Sequence, residues 1–369
     1  MKSLVVYIFI LVMFSSSLAK AQVNIRRNIP EADFLEEHID VPIMLIPNYR
    51  DVMRDMVSDL SVYLKGRNPE FDVLAREGLY LLFRGEWEQN LYELRQAQQE
   101  GLVYDDEKFI ASLFRNEEDA PPKIGTPIRR YLQSIDAEVI EGIFCDNNPP
   151  DKETSKIIKD AGLITFGIEH CRSKNDEASA VKDAAVKEIA LHIDNDLKAK
   201  FDNVPEKAMA FENPENIKSL KDVRNFLMVE DTKKFGNRGE FILALSNTNY
   251  DMLVIDPFFK GSEALLKEDI TALKFKKLGA RRKVIARVNL TEAEDFRYYW
   301  KRGWRLGIPS WLRMISKENP YAIVVEYWNP EWKEIIGNYV RAIFDLGFDG
   351  IMFEGLDAHL RFERLTPID

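Results

Sequence analysis

The chain has 369 residues, 46% of them hydrophobic, and carries 51 Lys and Arg against 61 Asp and Glu, a formal net charge of −10. That length can bury one large core or two modest ones, and the acidic balance argues against a nucleic-acid partner, because phosphate binding needs clustered Lys and Arg. Only Cys145 and Cys171 are present, which excludes a disulfide-dense small scaffold and leaves open one bridge or two thiols.

In chain order the first element reads as an export signal. Lys2 precedes an unbroken apolar run over residues 4–14, and Ala19-Lys20-Ala21 offers small residues for cleavage before Gln22. The run is too short to cross a hydrocarbon layer of about 30 Å as a helix, so residues 1–21 are expected to be a signal peptide rather than an anchor. No later stretch is long and apolar enough to span a membrane, so the mature chain is expected outside the cytoplasm, secreted or in the cell envelope.

Eight short runs rich in β-branched and aromatic residues follow, at 70–75, 138–145, 163–171, 188–193, 224–229, 252–258, 283–290 and 350–354. Helical patterns lie between most of them, for example at 51–64 and 331–346. Such alternation predicts an α/β fold with parallel strands and crossover helices, and eight units predict closure into a (β/α)8 TIM barrel. Residues 198–219, with Asn203-Val204-Pro205 and Asn213-Pro214, lack periodicity. They are either a linker between two domains or the join between two halves of one barrel. Four strands on each side favour one barrel over 22–369.

From about residue 222 to 359 the sequence resembles the amino-terminal half of the endo-α-1,4-polygalactosaminidase family, glycoside hydrolase family 114. The resemblance rests on Arg224-Asn225-Phe226-Leu227, on Asn249-Tyr250-Asp251 leading to Asp256, and on Glu292-Ala293-Glu294-Asp295-Phe296-Arg297-Tyr298-Tyr299-Trp300. It continues through Pro309-Ser310-Trp311-Leu312, Tyr327-Trp328-Asn329-Pro330-Glu331-Trp332 and Gly347-Phe348-Asp349-Gly350. Upstream, residues 56–77, Arg130 to Asp136, Glu141-Gly142-Ile143-Phe144 and residues 163–171 resemble later parts of the same family. The carboxy-terminal half thus precedes the amino-terminal half, so the resemblance implies a circularly permuted barrel: 22–197 as the family's second half, 198–219 as the join and 220–369 as its first half. A closed barrel tolerates that, because its chain ends lie on neighbouring elements.

In such a barrel the carboxyl ends of the strands converge on one mouth. The expected ends here carry Glu77, Glu141, Glu169, Asp256, Glu292 and Glu354, with Asp357 a turn beyond. Glycoside hydrolysis needs one protonated and one ionised carboxyl group, and crowding of acids raises at least one pKa. The resemblance implies Asp256 and Glu292 as active-site acids, with Glu141 and Glu354 in support. For Asp256 the competing role is a helix cap. Arg297 is expected to pair with one of the acids, or to form a plain surface ion pair. Glu77, Glu169, Asp357 and His170 are candidate substrate contacts. Among the aromatics between Phe296 and Trp332, Tyr299 and Trp328 are candidates to stack on sugar rings, against core packing as the alternative. No HExxH or similar metal spacing and no Gly-rich phosphate loop occurs, so no metal or cofactor is expected.

Two positions depart from the family pattern. Glu354 stands in Met352-Phe353-Glu354 where the family has Tyr-Leu-Asp, and Arg76-Glu77-Gly78-Leu79 replaces an Asn-Gly-Glu pattern. The expected function is therefore an exported glycoside hydrolase acting on a polysaccharide, with amino-sugar polymers implied by the resemblance. The competing expectation is a catalytically impaired, carbohydrate-binding barrel of the cell envelope.

Overall fold

The computed structural model describes residues 42–99, 124–194, 200–205, 210–317 and 319–368, so the expected signal at 1–21 lies outside them. Each of the eight apolar runs overlaps one barrel strand, with Arg76 and Ala137 lying one residue outside the expected bounds: β1 Asp72–Arg76, β2 Ala137–Glu141, β3 Ile164–Glu169, β4 Ala190–Ile193, β5 Phe226–Val229, β6 Met252–Ile255, β7 Lys283–Asn289 and β8 Gly350–Glu354. The runs are continuous rather than alternating because both strand faces are buried, as a parallel sheet under helices requires. Alternate residues of all eight strands, among them Leu74, Val139, Phe166, Met228, Val254, Ile285 and Met352, form one interior core. The residues between them, such as Val73, Ile140, Leu253, Val284 and Phe353, face the helices.

All pairings within the eight-stranded sheet are parallel, and β8 lies between β7 and β1. The ring is nearly closed, since β4 and β5 are joined by the single parallel bridge Leu191 to Asn225. It is a TIM-like barrel that takes strands from both sides of residues 198–219. The described parts of that join pack inward: Phe201 and Ile217 belong to the interior core. Buried Lys276 donates to the carbonyls of Asn213 at 2.6 Å and Glu215 at 2.9 Å and pairs with Asp251 at 2.6 Å.

The outer layer contains α1 Tyr49–Arg67, α2 Glu86–Gln99, α3 Arg129–Leu132, α4 Lys152–Asp160, α5 Lys174–Lys187, α6 Arg238–Ser246, α7 Lys267–Leu273, α8 Pro330–Leu346 and α9 Ala358–Leu365. Helix α8 shows why the sequence starts and stops it there. The Asn329 side chain caps its first turn, Pro330 occupies the first helical position, and Gly347 turns the chain at φ 91°. The chain enters through α1, which packs against α3, α8 and the final helix α9. Arg50 clamps Glu363 of α9 at 2.7 and 2.9 Å, and Arg54 clamps Glu88 of α2 at 2.6 and 3.0 Å.

Two features were not expected as such. Residues 290–329 insert a three-stranded antiparallel sheet, Glu292–Glu294, Ala322–Val325 and Leu312–Ile315, between β7 and α8. Cys145 and Cys171 form a disulfide, Cα atoms 5.2 Å apart, tying together the loops that follow β2 and β3.

One buried group works against the fold. Glu138 of β2 faces the helices beside the Tyr131 hydroxyl, and neither finds a hydrogen-bond partner among the described residues. A Cβ on Gly78 would stand 2.8 Å from that hydroxyl and 3.0 Å from Glu138 Oε1, so only glycine fits above them. Burial pushes the Glu138 carboxyl well up, so it stays protonated in the fold. A raised acid pKa stabilises fully below its unfolded value, and that contribution is lost as pH rises above it. Glu138→Gln is therefore expected to leave the thermal midpoint nearly unchanged at pH 4 and to stabilise by about 1–3 kcal/mol at pH 8, read by circular dichroism melts. Equal shifts at both pH values would contradict this.

A charged barrel mouth as candidate active site

Strand periodicity explains how the mouth is furnished. Side chains two residues apart share a face, so the interior residues Leu74, Val139, Met228, Val254, Ile285 and Met352 place Arg76, Glu141, Glu230, Asp256, Arg287 and Glu354 inward at the carboxyl ends. The result is a chain of alternating charges. Arg76 donates to Glu141 at 2.7 Å, to Glu354 Oε1 at 2.7 Å and to Glu230 Oε1 at 3.0 Å. Arg287 holds Glu354 Oε2 at 2.6 and 2.8 Å, with Glu230 Oε2 at 3.4 Å and Asp256 Oδ2 at 3.5 Å. Arg297 grips both oxygens of Asp256, at 2.8 and 2.6 Å, and also pairs with Glu294, which accepts from Asn319 at 3.1 Å.

The surroundings separate the acids. Burial by itself would raise the Glu354 carboxyl, but Arg287 and Arg76 outweigh it and hold that group below its usual range. Asp256 is likewise drawn down, against burial, by Arg297 and then Arg287. At Glu230 burial prevails, helped by the Glu354 charge, and the carboxyl is raised despite both arginines. One side of the mouth is filled by Phe201, whose ring meets His170 at 5.6 Å and His192 at 5.7 Å, with the Arg76 guanidinium 5.2 Å from its centre. The Phe201 carbonyl accepts from the Glu230 amide at 2.8 Å, and its backbone sits at φ 44°, a region that non-glycine residues seldom adopt.

The expected site residues divide into groups. Asp256, Glu354 and Glu141 meet in the mouth, and Arg297 reaches them through Asp256. Glu292 and Tyr299 line a small crevice, open to solvent, at the end of β7, together with Asn289, Glu294, Arg287 and Arg297. There Glu292 accepts from Asn289 at 3.4 Å, and the Tyr299 hydroxyl accepts from the Glu294 amide at 3.1 Å. Glu77 lies at the rim in a left-handed conformation, φ 66°, and accepts from the Gly355 amide at 3.1 Å. Surrounding protein, and then the charge of Asp357, push its carboxyl up to about 8 although its surface is exposed. Asp357 begins α9.

Two candidates point elsewhere. Glu169 alternates with the interior residues Phe166 and Ile168 and so faces outward, accepting the amides of Phe144 at 3.1 Å and Cys145 at 2.8 Å. It shapes the disulfide loop. Trp328 packs against Phe362 at 4.8 Å, Tyr327 at 5.0 Å and Tyr49 at 5.1 Å, beneath the helices and away from the mouth. His170 touches Phe201 only by its edge, and neither of its ring nitrogens has a hydrogen-bond partner among the described residues. The expectation missed Arg287 and Glu230, and at the end of β1 it named Glu77 where Arg76 is the inward residue. All three could have been found by counting in twos along their strands.

No family model matches the chain. It is 32% identical over 157 residues to an uncharacterized protein of Methanocaldococcus jannaschii, covering 40% of this chain and 45% of that one. It is 34% identical over 116 residues to an uncharacterized protein of Thermotoga maritima, covering 31% and 35%. A third, from Deinococcus radiodurans, is 29% identical over 121 residues, covering 33% and 38%. The chain thus spans less than half the length of each of these relatives.

The Arg297–Asp256 pair sets a test of the mouth's construction. Arg297→Gln leaves a buried carboxylate with a more distant partner and is expected to destabilise by about 3–5 kcal/mol at neutral pH in urea melts. Asp256→Asn added to it should recover most of that loss. Because the Asp256 carboxyl is held low, the pair's contribution should fade as pH drops below the unfolded carboxylate value. Additive losses in the double variant would refute the coupling.

Proposed function

We propose that the chain is an exported glycoside hydrolase acting on a polysaccharide, with Glu230 as proton donor and Glu354 as nucleophile. The observation that carries this reading is a pair of carboxyl groups bridged by the same two arginines yet shifted in opposite directions, Glu230 up by burial and Glu354 down by Arg287 and Arg76. Such divergence is what assigns acid and base in a shared site. In the first step Glu354 bonds to the anomeric carbon as the glycosidic bond breaks, and the Glu230 proton goes to the leaving oxygen. In the second, Glu230 takes a proton from water, whose oxygen displaces Glu354. The oxygens sharing Arg76 Nη1 lie 3.0 and 2.7 Å from it, closer together than the roughly 6.5–9.5 Å of an inverting pair. That favours retention of configuration. Asp256 shares only Arg287 with Glu230, at 3.5 Å, and is gripped through both oxygens by Arg297, so its part in this reading is to hold those two arginines; Glu292 lies to one side in the crevice.

Several facts support the wider reading. The Cys145–Cys171 bridge suits an oxidising compartment, in keeping with the apolar run at 4–14. Among the described residues no helix is long and apolar enough to cross a membrane. The excess of carboxyl groups over arginines in the mouth suits a neutral or amino-sugar polymer. Entry through α1, packed against α9, puts the two described chain ends on neighbouring elements, as a circularly permuted member of the glycoside hydrolase family 114 type requires. A second reading, a barrel that binds glycans without cleaving them, is favoured by the saturation of Glu354 and Asp256 with arginine contacts.

Reducing-end release from a panel of galactosaminan, chitosan and neutral polysaccharides decides between them. Glu230→Gln and Glu354→Gln are each expected to lower kcat by about 10²-fold or more. The rate should fall at high pH as Glu230 loses its proton and at low pH as Glu354 gains one. Glu230→Gln should abolish the alkaline limb. No release from any polymer would sink the hydrolase, and binding indifferent to Glu354→Gln would favour the second reading.

A further inference from the structure

Beyond the paired charges, at the rim after β6 and β7, stand three aromatic rings supplied by two loops. Phe258 comes two residues after Asp256, and its amide donates to the Asp256 carboxylate at 2.8 Å. It opens a small hairpin, Phe258–Phe259 with Glu263–Ala264. From the other loop Tyr298 lies nearly parallel to Phe258, centroids 5.7 Å apart and planes 20° apart. Phe296 lies against Gly261 so closely that a Cβ there would stand 2.5 Å from the ring. Gly261 also holds φ 76°, so the hairpin both turns and admits the ring through one residue without a side chain.

Arg297 threads between them, its guanidinium carbon 5.5 Å from the Phe258 centroid and 5.3 Å from that of Phe296. This is the guanidinium that grips Asp256. Its contacts explain why the rings are fixed, but Phe296 remains 37% and Tyr298 55% exposed. Rings this large are normally used to bury area. Here they are held rigid and left in water.

We propose that Phe296 and Tyr298 form a stacking subsite for a sugar ring of the same glycan chain whose cleaved bond lies over Glu230 and Glu354. A pyranose offers an apolar CH face to an aromatic plane and keeps its hydroxyls at the edge, which suits exposed rings with the Arg297 guanidinium beside them and Glu294 paired to it. Two rings set among charges are far short of the roughly 800 Å² per partner of a stable protein interface. The subsite rests on the hydrolase reading for its orientation, and its test separates the two.

Hexasaccharides of galactosamine, glucosamine, N-acetylglucosamine and glucose are titrated calorimetrically into the wild type and into Phe296→Ala/Tyr298→Ala, and 4-nitrophenyl monosaccharides serve as short substrates. Circular dichroism melts check that the doubly substituted chain is folded, as expected for exposed positions. We expect at least one hexasaccharide to bind the wild type and to bind the double variant about tenfold more weakly, with a smaller loss of kcat/KM on the 4-nitrophenyl substrate than on the hexasaccharide. Hexasaccharide binding that the double variant retains overturns the subsite while leaving hydrolysis standing. Binding that depends on the rings, without hydrolysis of any polymer, keeps the subsite and removes the hydrolase. Absence of binding to every hexasaccharide, or a wild-type dimer that becomes monomeric in the double variant by sedimentation, overturns the subsite.

Discussion

The placement of Glu354 between Arg76 and Arg287 is the contact on which the upper end of the barrel depends. Strand β8 lies between β1 and β7, and the register that pairs Asp72 with Gly350 carries Arg76 alongside Glu354. On the other side Asn289 pairs with Glu354, so Arg287 stands one inward position lower and reaches up. A carboxylate 3% exposed would be costly alone. Between two guanidiniums it becomes the fixed point from which Glu230, Glu141 and Asp256 take their positions.

The same contact divides the labour among the acids. Arg287 spends its nearest nitrogens on Glu354, Arg76 divides its own between Glu141 and Glu354, and the two meet Glu230 only at 3.4 and 3.0 Å, so that carboxyl receives less compensation for leaving water. Phe201 completes that asymmetry by covering the Arg76 side and bonding the Glu230 backbone. The hydrophobic filling of one flank is thus part of the electrostatics of the other.

The strands were legible because their runs are apolar on both faces, a pattern that only buried parallel strands and buried helices share, and their lengths exclude the helices. Their ends were overrun where apolar residues continue into loops, as with Ile143 and Phe144 after β2 and Phe258 after β6. Glu141, Asp256 and Glu354 were legible as charges at or near the ends of apolar runs, whereas Glu230, one residue past the run that ends at Val229, was passed over. Arg287 was not, because an arginine within a strand looks like a surface residue until the interior face is known. Glu169 and Trp328 were placed too near the site for a related reason: proximity along the chain does not say which way a side chain turns. The disulfide was undecided because two cysteines 26 residues apart reveal nothing until β2 and β3 are neighbours.

The ring of strands is held unequally. Seven of its contacts are ladders, whereas β4 and β5 share a single backbone bridge, Leu191 to Asn225, beside the ring contact of His192 with Phe226, and Asn225 spends its side chain on the Phe211 carbonyl and the Asp251 amide. The barrel is therefore a belt with a buckle. The ladders resist parting of the cylinder least at this clasp, and an opening there would disturb the Phe201 flank of the mouth before the strands that carry Arg76, Glu354 and Arg287.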